Sequence, residues 1–228
     1  MNIFFCHACP YKSARTQCDK HVAKMALEGM QMMYTAHHCC GNVEAWNGCA
    51  LKIYKATHAN HPMAIWVRAA VAHYLWMYAH VWALLDEYML RYGRIHACAQ
   101  HMARMSTVPA RVPPVPDPVA LSRLPRLCLI NAPRGCIAAP ACIEENARHE
   151  CLVYKYGYID LVQSYRRYYE WKRRTGKVDM RWSRRAHRRR WKRVVHWVCL
   201  VAWLQRRVRR QFWAHGECKR RRIAYRQA

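Results

Sequence analysis

An all-α fold is what this sequence predicts: a single helical domain around a long buried central helix, with a Pro-rich insert and a basic C-terminal helical extension. Three observations carry that expectation. Apolar residues recur at three- and four-residue spacings, a Pro62/Gly93 pair brackets the longest such stretch, and no segment sustains the alternation of a half-buried strand. These patterns place the helical domain over 1–182, an irregular insert at about 107–142 and the extension over 183–228.

The first helix is expected from about Ala14 to His38, with Val22, Met25, Ala26, Gly29, Met33 and Ala36 on one face. His21, Lys24 and Glu28 fall at i, i+3 and i+7 and so project from one side. Asp19 and Lys20 sit at the first turn or just before it. This row reads either as a solvated face with one Lys24–Glu28 ion pair or as a site. Gly41–Gly48 reads as a turn and Ala50–Lys55 as a bridge into Ala56–Pro62. Asn60 or His61 can cap a helix that starts at Pro62, where the missing N–H costs nothing. The helix start, with His58 and His61 beside it, is either an anion seat or a pair of histidines that cap and pack.

From Pro62 to Tyr92 the pattern predicts one long apolar helix, stopped by Gly93 in a left-handed conformation. Its stretch from Ala69 to Leu85 carries no formal charge over 17 residues, near the lower limit for a membrane span. His73 and His80 lie within it, and Arg68 and Asp86-Glu87 bound it. The expectation is therefore a buried central helix with Trp66, Trp76 and Trp82 in the core, and no transmembrane segment. A short helix is expected over Ile95–Met105. Eight of the ten prolines fall between Pro109 and Pro140, which predicts an extended covering loop. Helical spacing resumes near Tyr158 with Leu161, Val162, Tyr165, Tyr168 and Tyr169, interleaved with Arg166, Arg167, Lys172, Arg173 and Arg174. Such interleaving suits stacking on unpaired bases with phosphate neutralisation, and equally suits a docked helix with a wet basic back.

Charge is distributed unevenly. The formal net charge is +26, and the 16 Lys+Arg and 10 Asp+Glu of residues 1–165 leave +6. Residues 166–228 hold 23 and 3, hence +20. A polyanion is the natural partner, because neutralising phosphates releases counterions whatever the base sequence. With 53% hydrophobic residues, 10 Trp and 14 Tyr, the chain is not a wholly disordered polycation. The stretch from Val194 to Leu204, between basic flanks, is too short to span a bilayer; it suits nucleic acid or peripheral contact with an anionic membrane. Thirteen scattered cysteines give no disulfide framework, and Cys6-His7-Ala8-Cys9 has no second C-x-x-C to complete a zinc site, so no metal and no cofactor are expected. No secretory signal opens the chain, which points to the inside of a cell or a virion.

The motifs D-K-H-x-x-K-M (Asp19–Met25) and K-A-T-H-x-N-H-P (Lys55–Pro62), followed by Tyr74-Leu75-Trp76, Glu87-Tyr88, Arg91-Tyr92-Gly93 and Ser164–Tyr169, resemble a family of small proteins from phages and large DNA viruses. Some members carry the label of pyrimidine-dimer DNA glycosylase. The resemblance covers about residues 1–182 in blocks and leaves the extension from Ser183 without a counterpart. Where such relatives place acidic residues near the start, this chain has His7 and Cys9. The resemblance implies a viral DNA-acting protein, a base-excision or base-modifying enzyme with DNA, or RNA, as partner, located in the infected host cell or packaged in the virion.

Base excision needs a flipped nucleotide, a carboxylate at the sugar and, for a lyase, an amine that forms a Schiff base. Phage enzymes of similar task use an N-terminal amine exposed by loss of the initiator Met, a loss that Asn2 would discourage here. Lys24 or Lys20 is therefore the expected amine, with Glu28 or Asp19 as acid/base and His21 beside them. His58, His61, Arg68, Arg91, Arg166, Arg167, Lys172 and Arg173 are the expected nucleic-acid contacts. The alternative is a non-catalytic scaffold or virion component that binds nucleic acid through its basic tail.

Overall fold

The computed structural model describes residues 1–183, apart from 42, 47, 116–126, 133–134 and 157; at 44, 45, 127–132, 135–138 and 158 it describes the backbone alone. The fold is all-α. Seven α-helices stand among the described residues: α1 (Pro10–Thr16), α2 (Asp19–Cys40), α3 (Pro62–Arg68), α4 (Val71–Tyr92), α5 (Met102–Met105), α6 (Arg148–Cys151) and α7 (Leu161–Arg174). Two small antiparallel hairpins accompany them, β1 (Leu127–Ala132) with β2 (Gly135–Pro140), and β3 (Tyr154–Lys155) with β4 (Tyr158–Ile159). The basic extension expected over 183–228 lies, beyond Ser183, outside the described residues.

The core forms where α2 crosses α4. All six residues of the expected α2 stripe are buried. Gly29 lets the two helices approach: a Cβ there would meet Met77 Cε at 2.5 Å and Val81 Cγ2 at 2.6 Å. Trp66, Trp76 and Trp82 are buried as expected, and Gly93 ends α4 in the left-handed region at φ 70°.

Four boundaries differ from the sequence reading, each for a local reason. The first helix is two: α1 starts on Pro10 and stops before Gln17, whose backbone is extended, and α2 begins at Asp19, placing an acid in the positively polarised first turn. The long central helix is also two. It breaks at Ala69-Ala70, where Ala70 is extended (φ −160°), without any proline or glycine to announce the break. The Trp66 carbonyl accepts the Ala69 N–H at 3.2 Å and lies 2.9 Å from His73 Nδ1, the His73 ring stacks on Trp66 at 4.6 Å, and Val71 N–H donates to the Pro113 carbonyl of the covering loop. Ile95–Met105 folds as a 3₁₀ turn (Ala97–His101) running into α5. Within the insert, Leu127–Ala132 and Gly135–Pro140 pair as β1–β2 rather than staying irregular, since Leu127–Ala132 and Gly135–Ala139 contain no proline to interrupt the ladder.

The chain start is part of the core. Ile3, Phe4 and Phe5 are buried; Phe4 stacks on His21 at 4.5 Å, and Phe5 meets Trp66 edge-on at 5.1 Å. Phe4 adopts φ 49°, a costly conformation for a bulky residue, and Ser13 Oγ donates to its carbonyl at 3.0 Å. Burial of this apolar triplet fixes where residues 1 and 2 must lie.

Candidate active site

Glu28 is the point on which the motifs converge. Its carboxylate is 15% exposed. Oε2 accepts the Asn2 backbone N–H at 3.0 Å and lies 4.0 Å from the Met1 amine, while Oε1 lies 3.6 Å from Lys24 Nζ. Two amines thus flank one carboxylate. They differ in setting, because the Met1 side chain is 3% exposed and that of Lys24 is 68% exposed.

The second motif closes on the same point. Thr35 of α2 donates to the Thr57 carbonyl at 3.0 Å and accepts the Thr57 N–H, tying the loop to α2. His61 caps α3 by accepting from Met63 N–H at 3.1 Å. Its pKa is pushed down, first by burial, then by the Met1 amine and by His58, against the opposing pull of Glu28. His58 is exposed, holds φ 51° and pairs with Thr57 Oγ1 at 2.7 Å.

Behind the carboxylate, Asn2 is held from three sides. Its amide donates to the Cys142 carbonyl at 2.9 Å; its Oδ1 accepts the Tyr165 hydroxyl at 2.9 Å and the Ile3 N–H at 2.8 Å. Tyr165 also accepts from Cys142 N–H at 3.1 Å. The Cys142 thiol is pushed up to about 11 by burial, so it stands neutral beside the amine. The sequence reading did not place Asn2, Cys142 or Tyr165 at this site, naming Asn2 only as a brake on loss of the initiator Met and Tyr165 only as part of a helical aromatic pattern. The available signal was the run Ile3-Phe4-Phe5, which has to be buried and so carries residues 1 and 2 inward.

The remaining expected site residues separate into groups. Lys20 is exposed. Asp19 and Arg91 form a structural clamp: Arg91 is 3% exposed, and its five N–H donors meet Glu87 twice, Asp19 once and the Gln17 and Arg15 carbonyls once each. No donor is left for a phosphate, so Arg91 is not a nucleic-acid contact. His21 is buried between Phe4 and Tyr169, whose hydroxyl lies 2.6 Å from Nδ1, and burial pushes its pKa down to about 4. It is a neutral core residue rather than part of the acid/base set.

On α7 the tyrosines Tyr165, Tyr168 and Tyr169 are buried, so the helix is docked and its aromatics are not a stacking face. Lys172 is buried against Glu144 at 2.9 Å and over the Tyr168 ring, and Arg173 pairs with Glu170. Lys172 is thereby committed to Glu144, whereas Arg173 stays exposed on a surface ion pair. Arg166 and Arg167 are exposed, Arg166 Nε donating to the Cys6 carbonyl. Arg68 is half-buried at the end of α3, and its Nη1 is buried with no hydrogen-bond partner among the described residues.

Among the described residues no helix is long and apolar enough to cross a membrane, and no three His, Cys, Asp or Glu side chains are grouped to hold a metal ion. Comparison with family models, curated proteins and solved structures gives no match to this chain.

Proposed function

We propose that this chain is a DNA-acting base-excision enzyme of glycosylase type, with Glu28 as its acid/base group and an amine beside Glu28 as nucleophile. The observation that carries the reading is the sheltered carboxylate with the Met1 amine and Lys24 Nζ within 4.0 Å. The resemblance of both motifs to the viral family supports it. Lys24 Nζ, 3.6 Å from Glu28 Oε1, is the nucleophile of this reading, with the residue 1 amine at 4.0 Å from Oε2 as the second amine; Lys20 makes no contact with Glu28 among the described residues.

The chemistry balances without a cofactor. The amine lone pair bonds to C1′ as the glycosidic electron pair leaves with the base, which takes a proton from water. Glu28 accepts the proton that the amine sheds and returns it to the ring oxygen, opening the sugar to an iminium. His61 uses its Nδ1 to cap α3, and burial pushes its pKa down.

Glu28→Gln keeps the side chain's shape but removes proton transfer. Base release from ultraviolet-damaged duplex DNA is expected to fall about 100-fold or more, while binding to the same duplex persists. Release at the wild-type rate would remove Glu28 from the chemistry, and absence of release by the unsubstituted protein across a broad lesion panel would favour the non-catalytic nucleic-acid-binding reading.

A further inference from the structure

The connection between α6 and α7 holds two tyrosines where the fold has no use for them. Lys155 pairs opposite Tyr158, so β3 and β4 are joined by only two residues, Tyr156 and Gly157. Such a connection asks for left-handed backbone at its first position, where Asn, Asp or Gly costs least. Here a tyrosine stands there at φ 52°. Its side chain recovers nothing by packing, being 88% exposed with only the Lys155 ammonium over its ring at 5.5 Å. Tyr154, two residues earlier, is 63% exposed.

The hairpin's stem, by contrast, is pinned. Asp160 N–H donates to the Val153 carbonyl at 2.7 Å, and Val153 N–H donates to Ser164 Oγ at 2.9 Å. Ser164 is on α7, next to the Tyr165 that holds Asn2 behind Glu28. An aromatic in a strained, solvent-facing position on an anchored stem is the arrangement expected where strain serves a ligand rather than the fold.

We propose that this hairpin is a stacking probe for an unpaired base of DNA, with Tyr156 against the base face and Lys155 at the neighbouring phosphate. The inference rests on the reading of the chain as DNA-acting and names how an opened strand is held. A base offers the flat face that an exposed tyrosine can cover, whatever its identity, and the phosphate beside it offers the charge that Lys155 complements. In a chain of net charge +26, an anionic strand is the partner that charge selects.

The test uses the full chain, undamaged single-stranded oligonucleotides carrying 2-aminopurine, and raised salt to screen phosphate attraction. Tyr156→Asn, which installs the residue this turn favours, is expected to leave the melting temperature unchanged or higher. It should weaken binding by roughly 5- to 100-fold and lose the fluorescence quenching caused by stacking, whereas Tyr156→Phe retains both. Unchanged binding and quenching in Tyr156→Asn would overturn the hairpin's role. So would a fall in melting temperature, which would assign Tyr156 to the fold, or loss of binding to anionic vesicles with DNA binding intact. Failure of the unsubstituted protein to bind any oligonucleotide would instead remove the DNA-acting reading itself.

Discussion

Arg91 and Arg166 carry the same charge, each in a resemblance-bearing block, yet their surroundings give them different work. Arg91 spends all five donors on Glu87, Asp19 and two carbonyls, and so locks α4 to the start of α2. Arg166 keeps an exposed guanidinium with one bond to the Cys6 carbonyl. Sequence spacing cannot separate the two, because burial of a cation depends on which carboxylates the fold brings to it. The histidines show the same dependence. His21, His37, His73 and His80 are each pushed down to about 4 by burial. The unfolded chain takes up their protons near the ordinary value of about 6.5, and the folded chain only near 4, so stability is present above that range and is lost as pH falls through it. Asp86 works the other way. Burial raises its pKa to about 6, so it favours the folded state as pH falls through its own window. Four groups oppose one, and the melting temperature is expected to drop between about pH 6.5 and pH 4. Thermal denaturation at closely spaced pH values checks this; a melting temperature at pH 5 equal to or above that at pH 7 would contradict it.

The helices were largely legible as elements and poorly legible at their ends. The α2 stripe and the Gly93 stop follow from apolar spacing and a single left-handed position. The break at Ala69-Ala70 does not, since it is stabilised by His73 at the Trp66 carbonyl and by Pro113, a partner far along the chain. The same holds for the candidate site. Lys24, Glu28, His58 and His61 could be singled out from two motifs, and Thr35 shows how the fold joins those motifs. Asn2, Cys142 and Tyr165 converge from three distant segments, and only the tertiary path brings them together. Gly29 sits at the crossing that positions Glu28, and it gives the sharpest element-scale prediction. Gly29→Ala gains about 1 kcal/mol in helix propensity but forces a Cβ into Met77 and the stiff side chain of Val81. Overpacking costs about 1–3 kcal/mol, so urea unfolding is expected to show a lower midpoint. An unchanged or raised midpoint would mean that the α2–α4 crossing relaxes freely.

At the scale of the whole molecule, a helical body threads its own first residues through the core and delivers them to a sheltered carboxylate. Residues 166–228 supply +20 of the +26 net charge, a distribution suited to holding a polyanion near that body. On the proposed reading affinity and chemistry are separable, charge bringing the strand and the Glu28 site acting on it. The central claim is that an amine beside Glu28 bonds to the sugar. Borohydride reduction during reaction with ultraviolet-damaged duplex, followed by peptide mapping of the trapped adduct, tests it most directly. The expected result is one covalent adduct, absent with undamaged duplex, mapped to Lys24, lost in Lys24→Ala and kept in Lys20→Ala; an adduct retained in Lys24→Ala and mapped to residue 1 would move the nucleophile to that amine. A protein that releases damaged bases yet yields no trapped adduct, or an adduct mapped to a residue outside the Glu28 cluster, would contradict the account.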